Sequence, residues 1–434
     1  MLDFYLPLEG EEGGLLSTLV EGLYLIAPES SAATPLMITV LFGGVLGSLY
    51  AFLQFLASPF WGRLSDRIGR RPVLLLTLCG IAFSYLVWIF SGSFLLLVIS
   101  RLIGGFMSGN LSVVTAAMAD LTSRQNRAKG MALIGVAFGL GFITGPAIGG
   151  LTAHFNLLDY YPKGAEWGLN PFSGPALVAF VLTLLNLLWV RYYFRETLPD
   201  NVQNNLESRP LTKNRRAGAL FTALLRMPNP SIRRALHINF IFILAFSGME
   251  FTLTFLAVER LHFTPTQIGL LFVFIGICLI LTQGIIVRRL APRVGEKRLV
   301  VAGALLAILA FIGMGYADDL SGFLGSQALF AMGIGLFNPS LTALVSLYTS
   351  DQSQGRDLGL FRSAGSLARA CGPLAAAILY FSYNSRLYCF IGAIVVMIPL
   401  LLAFRLKQPR KMPDLAIPKG IPTECPPPKQ LAPK

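Results

Sequence analysis

Four ionisable residues lie inside long apolar stretches of this sequence, where a charge needs a partner or a function. Glu250 lies in FSGMEFTLTF, with no basic residue within one helical turn of it. Arg362 and Arg369 are seven residues apart and would share one helix face, and Arg101 lies in another apolar run. Because an ionised carboxylate is costly in such surroundings, Glu250 should be proton-bound for part of the time. Its chemistry would then be proton transfer, and an anionic solute or Glu250 itself would neutralise Arg369.

Each of these residues also has a structural explanation. Glu250 can be a protonated side chain that hydrogen-bonds a neighbouring helix. Arg101 can extend its charge to the lipid headgroups. Arg362 can mark the cytoplasmic end of a helix or pair with Asp66. Three amide side chains lie within the apolar runs, and each either lines a cavity or bridges helices. They are Gln54, Asn110 and Gln283.

The elements that must position these residues are membrane-spanning helices. Only 13% of the residues are charged, about half the roughly 25% of soluble domains. A chain so poor in charge cannot cover a water-facing surface, which argues against soluble enzymes, nucleic-acid-binding proteins and secreted scaffolds. Eleven stretches are long enough to cross a hydrocarbon core about 30 Å thick. They lie near residues 36–61, 72–92, 93–119, 129–153, 173–194, 235–258, 266–287, 299–316, 321–349, 359–382 and 385–406.

Cysteine and histidine give no sign of a metal site. The five cysteines show no Cys-x-x-Cys spacing, and the three histidines are scattered along the chain. No Ser/His/Asp set or pair of carboxylates stands out either. We therefore expect no enzymatic activity, no cofactor and no metal ion.

The net charge of +13 is a signal of membrane topology. Lys and Arg concentrate in alternate loops, which places those loops in the cytoplasm, and no nucleic-acid partner is expected. The predicted units are an extracytoplasmic segment (1–35), a first bundle (36–194), a basic linker (195–234), a second bundle (235–406) and a disordered cytoplasmic tail (407–434). Segment 1–35 is either an external loop or a short helix on the membrane surface.

The two bundles repeat each other. Leu64 and Gly69 recur as Leu290 and Gly295, and the Gly145-Pro146 pair recurs as Gly372-Pro373 at almost the same offset along the chain. Such shared spacing indicates two copies of one six-span unit. The counterpart of span 235–258 would lie near 9–32, where no span is visible. The first span of the first unit is therefore expected to be missing or to lie upstream of Met1.

Two glycine-containing motifs favour close helix contacts. In GRLSDRIGRR, Gly62 and Gly69 allow a close approach and a tight turn, and Asp66 can cap the helix expected near 359–382. Arg70 can pair with Asp120. In GFITGPAIGG, glycines at four-residue spacing remove side chains from one face, and the proline permits a bend, so that the bundles can slide against each other. This set is Gly141, Gly145, Pro146 and Gly149.

These motifs, with SRLIGGFMSGN at 100–110, resemble the signature loop, antiporter motif and fourth-helix motif of the major facilitator superfamily, in its drug:proton antiporter branch. VLFGGVLGS at 40–48, FSGMEFTLTFL at 246–256 and RSAGSLARACGPL at 362–374 make the chain most similar to tetracycline-resistance-type exporters and their eukaryotic tetracycline transporter-like relatives. The resemblance implies an all-α polytopic membrane protein with two pseudo-symmetric bundles, in a twelve-span fold whose first helix is missing or unrecognised.

The function implied by the resemblance is export of small amphiphilic drugs or organic anions by proton antiport with alternating access. A facilitator or a proton symporter that imports a small metabolite is the alternative, and a non-transporting membrane scaffold is a third. Glu250 and Arg101 are the expected proton-coupling residues. The expected cavity residues are Arg369, Arg362, Asn110, Gln54 and Gln283. The expected cytoplasmic latch consists of Gly62, Asp66, Arg67, Gly69, Arg70 and Asp120.

The expected partners are a small-molecule substrate, protons and the lipid bilayer, and the protein should act as a monomer. No Asn-x-Ser/Thr sequence falls in an outward loop, because the one at Asn110 lies within a span. This favours a bacterial inner membrane, with an intracellular eukaryotic membrane as the alternative.

Overall fold

A computed structural model of the chain describes residues 4–5, 7, 14–26, 34–153, 157–198, 229–350 and 353–409. Eleven of its helices are long and apolar enough to cross a membrane, which confirms the expected number of spans. The first half contains α1 (Leu15–Ile26), α2 (Thr34–Ile68), α3 (Arg70–Ile89), α4 (Phe94–Met107), α5 (Leu111–Asp120), α6 (Arg127–Ala153), α7 (Leu157–Tyr160) and α8 (Ser173–Tyr193). The second half contains α9 (Pro230–Leu261), α10 (Pro265–Leu281), α11 (Arg288–Val294), α12 (Glu296–Tyr316), α13 (Leu320–Tyr348), α14 (Gln354–Ser382) and α15 (Ser385–Phe404).

Two spans change helix type inside the membrane. A 3-10 turn at Ser108–Asn110 joins α4 to α5, and a π-helical turn at Thr282–Val287 joins α10 to α11. A π turn of this kind is often found at functional positions. The hydropathy pattern did not indicate either change, because hydropathy does not report which backbone hydrogen bonds form.

The boundary between the basic linker and the second half differs from the expected one. Helix α9 begins at Pro230, within the segment assigned to the linker. The Asn229 side chain accepts a hydrogen bond from the Ser231 amide at 2.9 Å, and a proline follows directly, which together start a helix. Residues 199–228 of the linker and the tail from 410 onward lie outside the described residues.

Internal duplication is visible at the turns between spans. Gly69 joins α2 to α3 with φ of +100°, and Gly295 joins α11 to α12 with φ of +90°. Both turns need a positive φ that glycine adopts at little cost. Two glycines at equivalent positions of the repeat thus make the same kind of corner in the two halves.

The contact between α14 and α9 in the second half has no counterpart among the described residues of the first half. A methyl group on Gly372 of α14 would clash with Ser247 of α9, whereas one on Gly145 would meet nothing within 4 Å. An apolar cavity of about 750 Å³ opens beside this face, between α5, α6 and α10. Among the described residues, no helix takes the place in the first half that α9 takes in the second. Helix α1 has 12 residues, too few to span.

Within the N-terminal segment, Leu15–Ile26 form the short helix α1. Leu16 of α1 is fully buried in a cluster with Phe42 of α2 and Phe94 of α4. Upstream, the Tyr5 hydroxyl donates to the Ser91 carbonyl at 2.8 Å. These contacts fix the segment against the ends of α2 and α4.

Candidate functional site

Helix pairs from opposite halves meet at glycines. A methyl group on Gly62 of α2 would clash with the carbonyl of Gly355 on α14, and one on Gly139 of α6 would come within 3.3 Å of the Gly276 carbonyl on α10. Farther along α2, the Phe55 carbonyl accepts a hydrogen bond from Ser363 at 2.7 Å. The two halves are therefore in direct backbone contact around a shared centre.

The expected close-contact motif on α6 does not make this contact. A Cβ on Gly141, Gly145 or Gly149 would meet nothing within 4 Å, so these glycines face open space. The contact is made instead by Gly139 and by Gly135, whose face is packed against Gln283. A shift of two residues turns a helix position by about 200°, which explains the difference. The side chain of Pro146 lies outside the described residues.

Asp66 caps the N-terminus of α14. Its carboxylate accepts hydrogen bonds from the backbone amides of Gly355 and Arg356, each at 2.9 Å. The first amides of a helix have no partner within the helix, and a carboxylate there also interacts favourably with the helix dipole. The expected contact is present, and it joins α2 of the first half to α14 of the second. Asp66 is therefore engaged with this helix end and is not the partner of Arg362.

Arg70 holds Asp66 and Asp120 together. Its side chain is fully buried, with Nη1 at 2.7 Å from Asp66 and Nε at 3.0 Å from Asp120. Nη1 also donates to Ser65 at 2.7 Å. The buried charge of Arg70 is balanced by two carboxylates, and the expected pairing with Asp120 is present. Arg67 lies in the last turn of α2.

Sequence reasoning missed a carboxylate at the same end of the molecule. Glu196, just after α8, accepts hydrogen bonds from the backbone amides of Arg70 at 2.8 Å and Arg71 at 3.0 Å. It caps α3 as Asp66 caps α14. An acidic residue directly after a span, on the side where α3 begins, was the available signal. We define the cytoplasmic latch by Asp66, Arg70, Asp120 and Glu196.

The second half does not repeat the residues of this latch. At the spacing of the repeat, Pro292 takes the place of Asp66 and Glu296 takes the place of Arg70. The amide nitrogen of Lys297, at the start of α12, donates to Gln408 at 2.9 Å. A proline cannot supply a capping carboxylate, so the cap that crosses the interface comes from the first half.

Two adjoining cavities lie between the halves, with volumes of about 70 Å³ and about 40 Å³. Both are lined by Arg362 and Arg369 of α14 and by Asn338 and Thr342 of α13. The two arginines repel each other electrostatically. Within the described residues, no other charged side chain lines either cavity.

The two glutamines predicted for the cavity are found there. Gln54 lines the smaller cavity, accepts a hydrogen bond from Ser366 at 3.0 Å and donates to the Ser108 carbonyl at 3.2 Å. Gln283, on the π-helical turn, lines the larger one and is 4% exposed. The Oε1 atom of Gln283 and the Nε atom of Arg362 have no hydrogen-bond partner among the described residues. Gln54 both lines a cavity and bridges helices.

Glu250 interacts electrostatically with Arg369. Asn239, Ile243 and Phe246 of α9 line the cavities, and Glu250 follows Phe246 by one turn on the same helix face. Nearby, the Ser247 hydroxyl donates to the Ala368 carbonyl at 3.4 Å. The carboxylate and the guanidinium therefore interact across the contact between two adjacent helices, α9 and α14.

Two predicted site residues lie elsewhere in the first half. The Arg101 guanidinium lies 3.9 Å from the ring centroid of Trp88, a cation–π contact. Asn110 donates to Thr77 of α3 at 3.2 Å and so bridges helices. Because both side chains are engaged within their own half, the structure places neither beside Glu250 or Arg369.

Asn338 and Thr342 are cavity residues that sequence reasoning missed. Both lie in the middle of α13, which is the most buried of the spans. Asn338 precedes Pro339 inside an apolar helix. The two polar residues Asn338 and Thr342 in a membrane span were a usable signal in the sequence. The site thus draws its polar groups from α2, α9, α10, α13 and α14.

Comparison with known proteins agrees with this architecture. The family profile of the Major Facilitator Superfamily matches residues 13–317 and 238–432. A mouse protein, major facilitator superfamily domain-containing protein 10, is 34% identical over 386 residues, covering 86% of this chain and 80% of its own. The class B tetracycline resistance protein of Escherichia coli is 30% identical over 344 residues, covering 78% of each chain.

A solved structure shows the same fold. The crystal structure of the human organic anion transporter MFSD10 (TETRAN) superimposes with a TM-score of 0.75 at 34% identity, covering 90% of each chain. These mammalian relatives do not support the expected bacterial inner membrane, whereas an integral multi-pass membrane protein is confirmed. Both the family profile and the relatives cover most of the chain, and the chain belongs to the major facilitator superfamily of membrane transporters.

Proposed function

We propose that this protein moves small amphiphilic organic anions across a membrane by alternating access, coupled to protons. The observation that carries the proposal is the pair Arg362 and Arg369 in the cavities between the halves. Charged side chains inside a membrane protein are costly and mark substrate paths. An anionic group would offset one of the two positive charges and accept a hydrogen bond from the unpartnered Nε atom of Arg362.

The small size of the cavities that Arg362 and Arg369 line supports alternating access. Sites for drug-sized molecules usually measure about 300–1,000 Å³, so a cavity of about 70 Å³ holds only a small group. The halves must separate to admit a larger solute. The cytoplasmic latch joins α2 to α14 at one end, so opening there requires Asp66 to leave the N-terminus of α14.

The proton would be carried by Glu250, the acidic side chain that interacts with Arg369. Export in exchange for protons is the mode that the resemblance to drug:proton antiporters implies. Proton symport is the second candidate, and the excess of positive charge in the cavity favours it for anionic solutes.

A binding measurement tests the anion site. The full chain in lipid nanodiscs would be titrated with naphthalene-2-sulfonate, which stays ionised at any working pH, and with the neutral naphthalene-2-sulfonamide. We expect the sulfonate alone to bind, and Arg369→Gln to weaken its binding at least tenfold, since a lost charge-assisted hydrogen bond costs about 1.5–3 kcal/mol.

The matched control is Arg298→Gln, at an exposed position near the start of α12 and away from the cavities. This variant should bind the sulfonate as the parent chain does. Equal binding of sulfonate and sulfonamide, or equal losses in the two arginine variants, would contradict an anion site at Arg369.

A further inference from the structure

We propose that an anion at Arg362 and Arg369 and a proton on Glu250 bind cooperatively, so that an anionic solute is transported together with a proton and not in exchange for one. This inference rests on the proposed function and gives the sign of its proton coupling. It follows from the positions and charges of three side chains on α9 and α14.

Glu250 and the two arginines lie on helices that pack closely against each other. Helices α9 and α14 touch closely, because a methyl group on Gly248 would come within 3.3 Å of the Gly372 carbonyl. Ser247 donates to the carbonyl of Ala368, the residue before Arg369. Glu250 lies one turn beyond Ser247, at helical spacing from the cavity-lining Phe246, and interacts with Arg369.

The charged and titratable groups around Glu250 come from α14 and α15. Helix α14 presents Arg369 to it, with Arg362 two turns away in the same cavities. From α15, the titratable group nearest this part of α9 is Tyr388, whose hydroxyl faces Gly248. Among the described residues that line the cavities, α2, α6, α10 and α13 contribute only uncharged side chains.

Glu250, Arg362 and Arg369 together therefore carry one net positive charge when Glu250 is ionised and two when Glu250 is protonated. An ionised Glu250 competes with the anion for Arg369 and repels it, whereas a protonated Glu250 does neither. The anion must then bind more tightly to the protonated protein. By thermodynamic reciprocity, bound anion favours protonation of Glu250 by the same factor.

Ligands that favour each other's binding cross the membrane together in an alternating-access cycle, whereas ligands that exclude each other are exchanged. A monovalent anion and one proton would thus move as an electroneutral pair. A solute carrying a positive charge would compete with the proton at Glu250 and would be exchanged for it. The charge of the solute selects the direction of coupling, and for anions the expected antiport becomes symport.

The test is the pH dependence of sulfonate affinity. The dissociation constant of naphthalene-2-sulfonate would be measured from pH 5 to pH 9 on the full chain in nanodiscs. We expect affinity to fall at least fivefold as the pH rises. Glu250→Gln, which resembles the protonated state, should bind as tightly as the parent chain at pH 5 and show no pH dependence.

The matched control is Glu259→Gln on the same helix, because Glu259 is exposed and accepts a hydrogen bond from Ser385 at 2.8 Å. It should keep the parent pH dependence. In proteoliposomes with a pH dye inside, an inward sulfonate gradient should acidify the lumen for the parent chain and not for Glu250→Gln.

Tighter binding at high pH, or alkalinisation of the lumen, would overturn cooperative binding while leaving the anion site intact. Affinity that is independent of pH in the parent chain would also overturn it. Absence of sulfonate binding at every pH would instead refute the proposed function, and this inference with it. The result on the parent chain decides the matter even where a variant fails to fold.

Discussion

Arg70 is the residue on which the cluster of Asp66, Arg70, Asp120 and Glu196 depends. It is fully buried and bound to Asp66 and Asp120, which come from the two spans on either side of it. Removing one partner from a buried, hydrogen-bonded charge pair costs more than the pair contributes, because the remaining charge is left without compensation. The stability of this cluster therefore falls sharply with any loss of charge.

Asp66→Asn removes the charge and keeps the size of the side chain. We expect it to lower the free energy of unfolding by roughly 3 kcal/mol and to speed hydrogen exchange at the amides of Gly355 and Arg356. The control is Asp357→Asn. Asp357 lies in the same turn of α14 as the Gly355 and Arg356 amides, and its carboxylate accepts a hydrogen bond from Ser353 at 3.2 Å. Equal effects of the two substitutions, seen by thermal unfolding and hydrogen exchange, would contradict the role given to Asp66.

The latch shows which parts of a site can be predicted from residues alone. Asp66 and Arg70 lie four residues apart, and Asp is a common helix N-cap. Glu196 was missed because it lies 126 residues from Arg70, and only the path of α8 brings the two together. Arg101 was assigned to proton coupling, and its stacking on Trp88 was missed because Trp88 lies on a separate helix.

At the scale of helices, the glycine faces decide where the halves touch. Gly62 lies against the backbone of α14, whereas Gly145 faces open space. Hydropathy predicted the spans, because length and apolarity are set by the membrane. It could not predict which glycine face of α6 meets the other half, because the motif marks small residues on more than one side of the helix.

Alanine at these two glycines separates the contacts. Gly62→Ala should lower the free energy of unfolding by about 1–3 kcal/mol, since overpacking forces the helices apart. Gly145→Ala should cost nothing and can stabilise the helix by up to about 1 kcal/mol. Thermal unfolding in detergent measures both. A loss at Gly145 as large as that at Gly62 would show that the face of Gly145 is packed.

At the scale of the whole molecule, the two halves enclose a small, positively charged centre, and charges of the first half hold them together at the cytoplasmic end. The repeat predicted this two-fold arrangement, and the second arginine was visible in the spacing of Arg362 and Arg369. Asn338 and Thr342 were visible as polar residues in an apolar span, but their place in the cavities depends on how deeply α13 is buried between the halves.

Counterflow of naphthalene-2-sulfonate directly tests whether anions pass through the cavity between the halves. Proteoliposomes containing the full chain would be loaded with unlabelled sulfonate at equal pH on both sides and diluted into a trace of labelled sulfonate. The account predicts transient accumulation of label by the parent chain and by Arg298→Gln, and its loss in Arg369→Gln. No accumulation by the parent chain, or accumulation that Arg369→Gln leaves unchanged, would contradict anion transport through the cavity between the halves.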